Sequence, residues 1–300
     1  MNLHRRRTPD PDRHSTRSPR QQTGSCGATR WVQLAGHGAW AALAVFAVTQ
    51  ATAACKPSAE VPGEPATLTV FAAASLTDVF EAIAEVYEQA HPGTDVVFNF
   101  GASSALRMQL GEGALADVAA FAGEKDMLLL GDAGLVDSEM AEIFAENELV
   151  VVVHPESAAK VPSLASLAEP RTKLVIVAEG APAGDYARQV LENLTAVLGA
   201  GYRDGVLANV VSEEDNVRQV LAKVQLGEAD AGWVYRSDAR AAPELRVIEI
   251  PARANIRARY PIAVLLNAPH PEAGEQFLEL VRSAEGQRLI EAGGFLAVAP

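Results

Sequence analysis

Leu68-Thr-Val-Phe-Ala-Ala-Ala-Ser-Leu-Thr-Asp-Val-Phe-Glu-Ala-Ile83 decides the fold class. Its first five residues form a short apolar run with β-branched and aromatic members, the pattern of a buried strand. The period then changes. Leu76, Val79, Phe80, Ile83 and Tyr87 recur at helical spacing. Ser75-Leu-Thr-Asp78 has the form of a capping box, so Ser75 is expected to open the helix. A strand running directly into a helix is the opening unit of a parallel α/β arrangement.

The same alternation continues downstream. Asp95–Phe100 and Ala116–Ala122 read as strands, with helices over Ser103–Leu110 and Glu124–Leu130. Leu149–Val153 and Leu174–Ala178 are further apolar runs, and a helix follows from Gly184 to Leu198. Val206–Val211 reads as a strand. Asp215–Gln225 reads as a helix with Val217, Val220, Leu221 and Val224 on one face. Ala231–Tyr235, Leu245–Ile250 and Tyr260–Leu265 read as strands, and helices containing Phe277, Leu280 and Ile290 close the chain. This pattern predicts an α/β fold with mainly parallel sheets flanked by helices.

Upstream of Leu68 the composition shifts. Residues 1–36 hold seven arginines against two aspartates. An apolar run, Ala39–Val48, follows, then Ala51-Thr-Ala-Ala-Cys55. Basic, then apolar, then small is the order of an export signal. Residues 1–55 are therefore expected to be a signal sequence. Thr52-Ala-Ala-Cys55 resembles the cleavage box of bacterial lipoproteins, although Thr52 stands where leucine is usual. Cys55 is thus the expected lipidation site, and it would hold the protein at the outer face of the cytoplasmic membrane or in the periplasm. Residues 56–65, rich in Pro and polar side chains, read as a flexible tether.

The chain has 300 residues, a formal net charge of −13 and 49% apolar residues. That composition is globular, and the charge argues against a nucleic-acid partner. Without residues 1–55 the chain keeps 18 basic and 36 acidic residues, a charge near −18. Such a surface does not attract anions at long range. Cys26 and Cys55 both lie in or at the end of the signal, so neither a disulfide scaffold nor a multi-cysteine zinc site is expected. No Gly-x-Ser-x-Gly elbow surrounds Ser75. His91 and His270 stand beside prolines, and His154 ends a strand before Pro155. Gly101-Ala-Ser-Ser104 lacks the Gly-Lys-Ser/Thr of a phosphate-binding loop. An exported serine hydrolase remains the enzyme alternative, and the expectation is that the protein is not an enzyme.

A binding reading fits the junctions better. Ala73-Ala-Ser75, Gly101-Ala-Ser-Ser104, Pro182-Ala-Gly184 and Asp215-Asn-Val217 each place small or hydroxyl residues where a strand meets a helix. In α/β sheets these junctions gather at the carboxyl ends of the strands, where ligands bind. Helix starts expose unpaired N–H groups and a positive dipole end. Several aimed at one point make an anion site without a formal charge.

Six motifs, in order, resemble the molybdate-binding proteins of ABC transporters, the ModA family. They are Val70-Phe-Ala-Ala-Ala-Ser-Leu-Thr77, Phe98-Asn-Phe-Gly-Ala-Ser-Ser-Ala105, Ala114-Leu-Ala-Asp117, Pro182-Ala-Gly-Asp-Tyr186, Glu214-Asp-Asn-Val-Arg-Gln219 and Gly232-Trp-Val-Tyr-Arg-Ser-Asp238. The likeness runs from about Leu68 to Phe295. It implies a two-lobed periplasmic-binding-protein fold of type II with two crossover strands, near Glu148–Val153 and Tyr260–Leu265. Lobe one would comprise 66–147 and 263–300, and lobe two 148–262. The resemblance implies that Ser75 and Ser103 give hydroxyls, Ala183 and Val217 backbone N–H groups, and Tyr235 its phenol, to an oxyanion in the cleft. Ser104 is a neighbour and possible substitute for Ser103, and Ala102 stands where some members have serine. No residue would ligate the metal atom directly, and no cofactor is implied beyond the ligand, molybdate or tungstate. The implied partner is a membrane-embedded permease, with the binding protein acting as a monomer.

The chemistry of that donor set agrees with the ligand class. Fully ionised molybdate, tungstate or sulfate carries acceptor oxygens and no proton. Hydrogen phosphate carries a proton that a donor-only cavity leaves unpaired, at a cost of about 1–3 kcal/mol. Sulfate or another oxyanion is the alternative ligand, and a regulator's sensor domain a further alternative. Asp185 and Asp215 are expected at helix starts, and Arg107, Arg218 and Arg236 on solvated faces. Trp233, two residues from Tyr235 on one strand, is expected to share its face and to report ligand binding.

Overall fold

The structure, a computed structural model, describes residues 66–296 and 298. The signal, the tether and Cys55 lie outside the described residues. The first strands are β1 (Ala66–Ala73), β2 (Thr94–Gly101) and β3 (Val118–Ala120), each followed by a helix: α1 (Thr77–Ala90), α2 (Ser103–Gly111) and α3 (Glu124–Asp132). β1 lies between β2 and β3, parallel to both. Side chains alternate across β1. Val70 and Ala72 join Phe80, Ile83 and Phe277 in one core. Phe71, between them, joins Leu106, Leu110 and Met127 in the other. Both faces of the strand are therefore covered, as its unbroken apolar run requires.

The chain then crosses. β4 (Glu142–Val153) is the longest strand. Its first half, up to Glu148, pairs antiparallel with β9 (Arg257–Val264). Its second half, Leu149–Val153, pairs antiparallel with β7 (Ala231–Tyr235), and Val150–Val153 also with β8 (Arg246–Glu249). A second parallel group consists of β5 (Leu174–Val177) between β6 (Val210–Glu214) and β7. Its helices are α4 (Pro182–Leu198), α5 (Tyr202–Ala208), α6 (Val217–Gln225) and the short α7 (Arg236–Arg240). α8 (Pro271–Arg282) and α9 (Ala284–Ala292) end the chain against α1. The strand order is β2-β1-β3-β9-β4-β7-β5-β6, with β8 on β4. The fold is α/β as expected. Pairing is parallel within each group and antiparallel at β4 and β9, where the groups join.

Several expected elements need correction. Val206–Val211 is not one strand, because Val206–Ala208 belongs to α5 and β6 begins at Val210. Tyr202 and Val206 are four residues apart and both buried, which is a helical face, and the Tyr202 hydroxyl donates to the Leu164 carbonyl at 2.7 Å. The crossover strands also start earlier than read, at Glu142 and Arg257. Charged residues there alternate with buried ones such as Phe144, Ala258 and Tyr260, so no continuous apolar run marks them. Only Val118–Ala120 of the expected Ala116–Ala122 strand enters the ladder. Ser75 does not cap α1. It lies in a 3₁₀ turn, Ala74–Leu76, and the Thr77 hydroxyl donates back to the Ala74 carbonyl at 2.8 Å.

Candidate oxyanion site

The carboxyl ends of β1, β2, β5, β6 and β7 surround one pocket. Ser75, Ser103, Ala183, Val217 and Tyr235 all line it, beside Ala73, Gly101, Asn216 and other small residues. It encloses about 260 Å³ of empty space, open solvent included. The small side chains that line it crowd close together, so the pocket suits a small ion rather than a sugar or peptide.

Each of the five positions brings a hydroxyl or a backbone N–H group to the pocket. The Ser103 oxygen accepts the Ala122 backbone N–H at 2.9 Å, so its own proton is free to point outward. The Ser75 oxygen lies 2.9 Å from the Tyr260 hydroxyl, with both groups buried. α4 begins with Pro182 after an uncapped Ala181, leaving the Ala183 N–H without an acceptor in its own helix. At α6 the Asn216 side chain accepts from the N–H groups of Arg218 and Gln219, and Val217 N–H is passed over. Tyr235 is 1% exposed, and its hydroxyl has no hydrogen-bond partner. Such a buried orphan is costly unless something polar arrives to meet it. Burial pushes the phenols of Tyr235 and Tyr260 well above the ordinary tyrosine range, so both keep their protons at neutral pH.

Formal charges stand back from the pocket. Arg107 pairs with Asp126 at 2.9 Å, and Arg236 grips Glu249 through two hydrogen bonds of 2.8 and 2.6 Å. Arg218 reaches Asp78 of α1 at 2.6 Å and the buried Asp238 at 3.0 Å. Asp238 in turn accepts the Tyr235 backbone N–H at 3.1 Å, which fixes the end of β7. Burial lifts the Asp238 carboxyl to about 6, against the pull of Arg218. Asp185 turns away to the Gly180 N–H, 2.8 Å, and to Lys125, 3.2 Å. Asp215 is exposed at the rim. Ser104 lines an outer groove with Arg107 and Gln219 rather than the pocket itself. Trp233 is 1% exposed and does not line the pocket, so the expected shared face does not bring it to the site. Tyr235 differs because it ends the strand and caps α7.

The serines have no catalytic partners. Among the described residues neither has a hydrogen bond to histidine or carboxylate. His91 stacks on Tyr87, His154 caps a turn at Glu156, and His270 meets Asp117. Among the described residues no cluster of His, Cys, Asp or Glu could hold a metal ion. Sequence reasoning missed Tyr260, Asp238 and the capping role of Asn216. The Asn before a helical run carried a readable capping signal. Tyr260 carried none, being 185 residues from Ser75.

Residues 68–296 match the family of bacterial extracellular solute-binding proteins. The chain is 37% identical over 229 residues to the molybdate-binding protein ModA of Mycobacterium tuberculosis H37Rv, covering 76% of this chain and 84% of that one. The chain belongs to the ModA family of bacterial extracellular solute-binding proteins. A second relative of this solute-binding protein is the putative ABC transporter substrate-binding lipoprotein YvgL of Bacillus subtilis, 33% identical with 77% and 86% coverage. Among solved structures, the substrate-binding domain of a putative molybdenum ABC transporter from Clostridium difficile aligns with a TM-score of 0.59 and 30% identity. The alignment covers 78% of the solute-binding protein and all of that domain. The Azotobacter vinelandii periplasmic molybdate-binding protein aligns with a TM-score of 0.68 at 23% identity, which supports the fold.

Proposed function

We propose that this protein captures molybdate or tungstate for an ABC importer, holding the ion between two lobes with neutral donors. The observation that carries this reading is the orphaned Tyr235 hydroxyl, buried in a small pocket that the hydroxyls of Ser75 and Ser103 also line, with the exposed carboxylate of Asp215 at its rim. The assigned ligand contacts are the hydroxyls of Ser75, Ser103 and Tyr235 and the N–H groups of Ala183 and Val217. No protein residue touches the metal atom. The lobes are 66–147 with 263–300, and 148–262, joined through β4 and β9. The protein acts as a monomer that delivers its ion to a membrane permease, without catalysis and without a cofactor of its own. It is exported by residues 1–55 and lipidated at Cys55. The molybdate-binding names of its relatives support the ligand, and the lipoprotein name of one supports the anchor.

Calorimetric titration of the domain from residue 56 onward tests the ligand class. Molybdate and tungstate are expected to bind saturably, and sulfate more weakly, because rigid donors cannot all reach a smaller ion at about 2.7–3.1 Å. Phosphate binding as tight as molybdate would overturn the donor-only reading. Tyr235→Phe removes one oxygen and nothing else. It is expected to weaken molybdate binding by about 1.5–3 kcal/mol while leaving the melting temperature unchanged or higher, because the lost hydroxyl had no partner in the empty protein. Unchanged affinity in that variant would remove Tyr235 from the site.

A further inference from the structure

We propose that Arg218 is a positioning residue that clasps the two sides of the pocket together through Asp78 and so sets how long the bound ion stays. This rests on the reading of the pocket as an oxyanion site between two lobes. Asp78 lies three residues beyond Ser75, in the first turn of α1. Arg218 directly follows Val217 in α6. The two are 140 residues apart in sequence, yet Arg218 Nη2 donates to the Asp78 carboxylate at 2.6 Å. The ion pair therefore joins the turn that carries the Ser75 hydroxyl to the helix start that carries the Val217 N–H, and both of those residues line the pocket. Ser75, Asp78 and Arg218 also line a second cavity, which places the pair just behind Ser75.

Arg218 is anchored on its own side first. Its backbone N–H donates to the Asn216 side chain at 3.0 Å. Its Nε faces Asp238 Oδ1 at 3.0 Å without the alignment of a hydrogen bond, so Asp238 serves as a counter-charge. Asp238 is fully buried and accepts the Tyr235 N–H. A long side chain already ordered in this way loses little further freedom when Asp78 meets it. The Arg218 side chain is 25% exposed, so salt screens its charge less than that of a surface residue. A second pair across the cleft, Lys125 with Asp185 at 3.2 Å, lacks this setting. Lys125 is 69% exposed, and such a pair contributes little.

The order of events gives the clasp its effect. An ion enters while the lobes are apart, before Arg218 and Asp78 have met. It leaves only when the lobes part, and that separates the two charges. Loss of the pair therefore speeds release and leaves capture alone.

The test follows capture and release of radiolabelled molybdate by the parent, Asp78→Asn and Glu81→Gln. Glu81 stands on the same helix, is exposed, and makes no hydrogen bond to Arg218 among the described residues. Both substitutions remove one negative charge from α1, so any change in capture through the long-range field is expected to match between them. Asp78→Asn alone is expected to speed release about fivefold, the upper end of the range for a surface ion pair. Asp78→Glu keeps the carboxylate and is expected to restore most of the parent's lifetime. In an Arg218→Met background, Asp78→Asn is expected to leave release unchanged. Should Arg218→Met not fold because Asp238 loses its counter-charge, Arg218→Met with Asp238→Asn carries the same comparison. Release from Asp78→Asn at the parent's rate, or an equal acceleration with Arg218 already replaced, overturns the clasp alone. A lower melting temperature with release unchanged would show Asp78 to be structural, which overturns it too. A parent that captures neither molybdate nor tungstate overturns the functional reading, and the clasp with it.

Discussion

Replacing both Ser75 and Ser103 by alanine is expected to cost about 3–6 kcal/mol of molybdate affinity, twice the usual contribution of a hydrogen bond to a charged group. The two serines sit on different elements but line one pocket and would hold the same ion, so about 3–6 kcal/mol is the additive sum and the measured double variant is expected to depart from it by their coupling. Each single variant also leaves a buried group stranded. Ser103→Ala orphans the Ala122 N–H, and Ser75→Ala orphans the Tyr260 hydroxyl. Each loss is expected to lower the stability of the ligand-free protein by about 1–3 kcal/mol. Calorimetry reads the first effect and thermal melting of the empty protein reads the second. A double variant that binds like the parent would refute the site. Affinity that falls only as far as folding fails would show the serines to be structural.

Gly184→Ala is the second large effect expected. A Cβ at this position would fall on the Ala178 carbonyl oxygen and 2.7 Å from that of Val177, both backbone atoms that cannot step aside. The start of α4 is thus pressed directly onto the end of β5, and only glycine permits the approach. Adding the methyl group should push the helix start outward and carry the Ala183 N–H with it. The expected cost is about 3 kcal/mol of stability, the upper part of the overpacking range, together with at least a tenfold loss of molybdate affinity, about the worth of one hydrogen bond to an ion. Gly199, at the other end of α4, has open space around it and a φ of 109°. Alanine there should strain the backbone and leave affinity untouched. Equal affinities for Gly184→Ala and the parent would mean that the Ala183 N–H does not hold the ion.

The elements that can be read from the chain are those whose period is local. β1 and α1 announce themselves by the change from an unbroken apolar run to helical spacing at Leu76. The junctions at Ser103, Pro182 and Val217 are legible for the same reason, and they meet at the pocket. What stays hidden depends on distant partners. Val206 looks like a strand residue until Tyr202 is seen beneath Leu164. Ser75 looks like a cap because Ser-Leu-Thr-Asp fits that pattern, yet its oxygen is claimed by Tyr260 from across the fold. The first half of β4, Glu142–Glu148, hides because charged residues interrupt it, whereas its second half, Leu149–Val153, is an unbroken apolar run. Trp233 and Tyr235 separate because the strand ends between their environments.

A pocket built from dipoles on a chain of net charge −13 has a kinetic consequence. The donors act over a few ångströms, whereas the repulsion between the acidic surface and an incoming dianion acts over the Debye length, about 8 Å at physiological ionic strength. Arriving ions must therefore climb a field before they reach anything that attracts them. Added salt flattens that field and leaves the buried hydrogen bonds almost untouched. Capture is expected to accelerate as ionic strength rises, while the lifetime of the bound ion is expected to change little, which stopped-flow mixing at several salt concentrations would read. Electrostatically steered binding behaves in the opposite way.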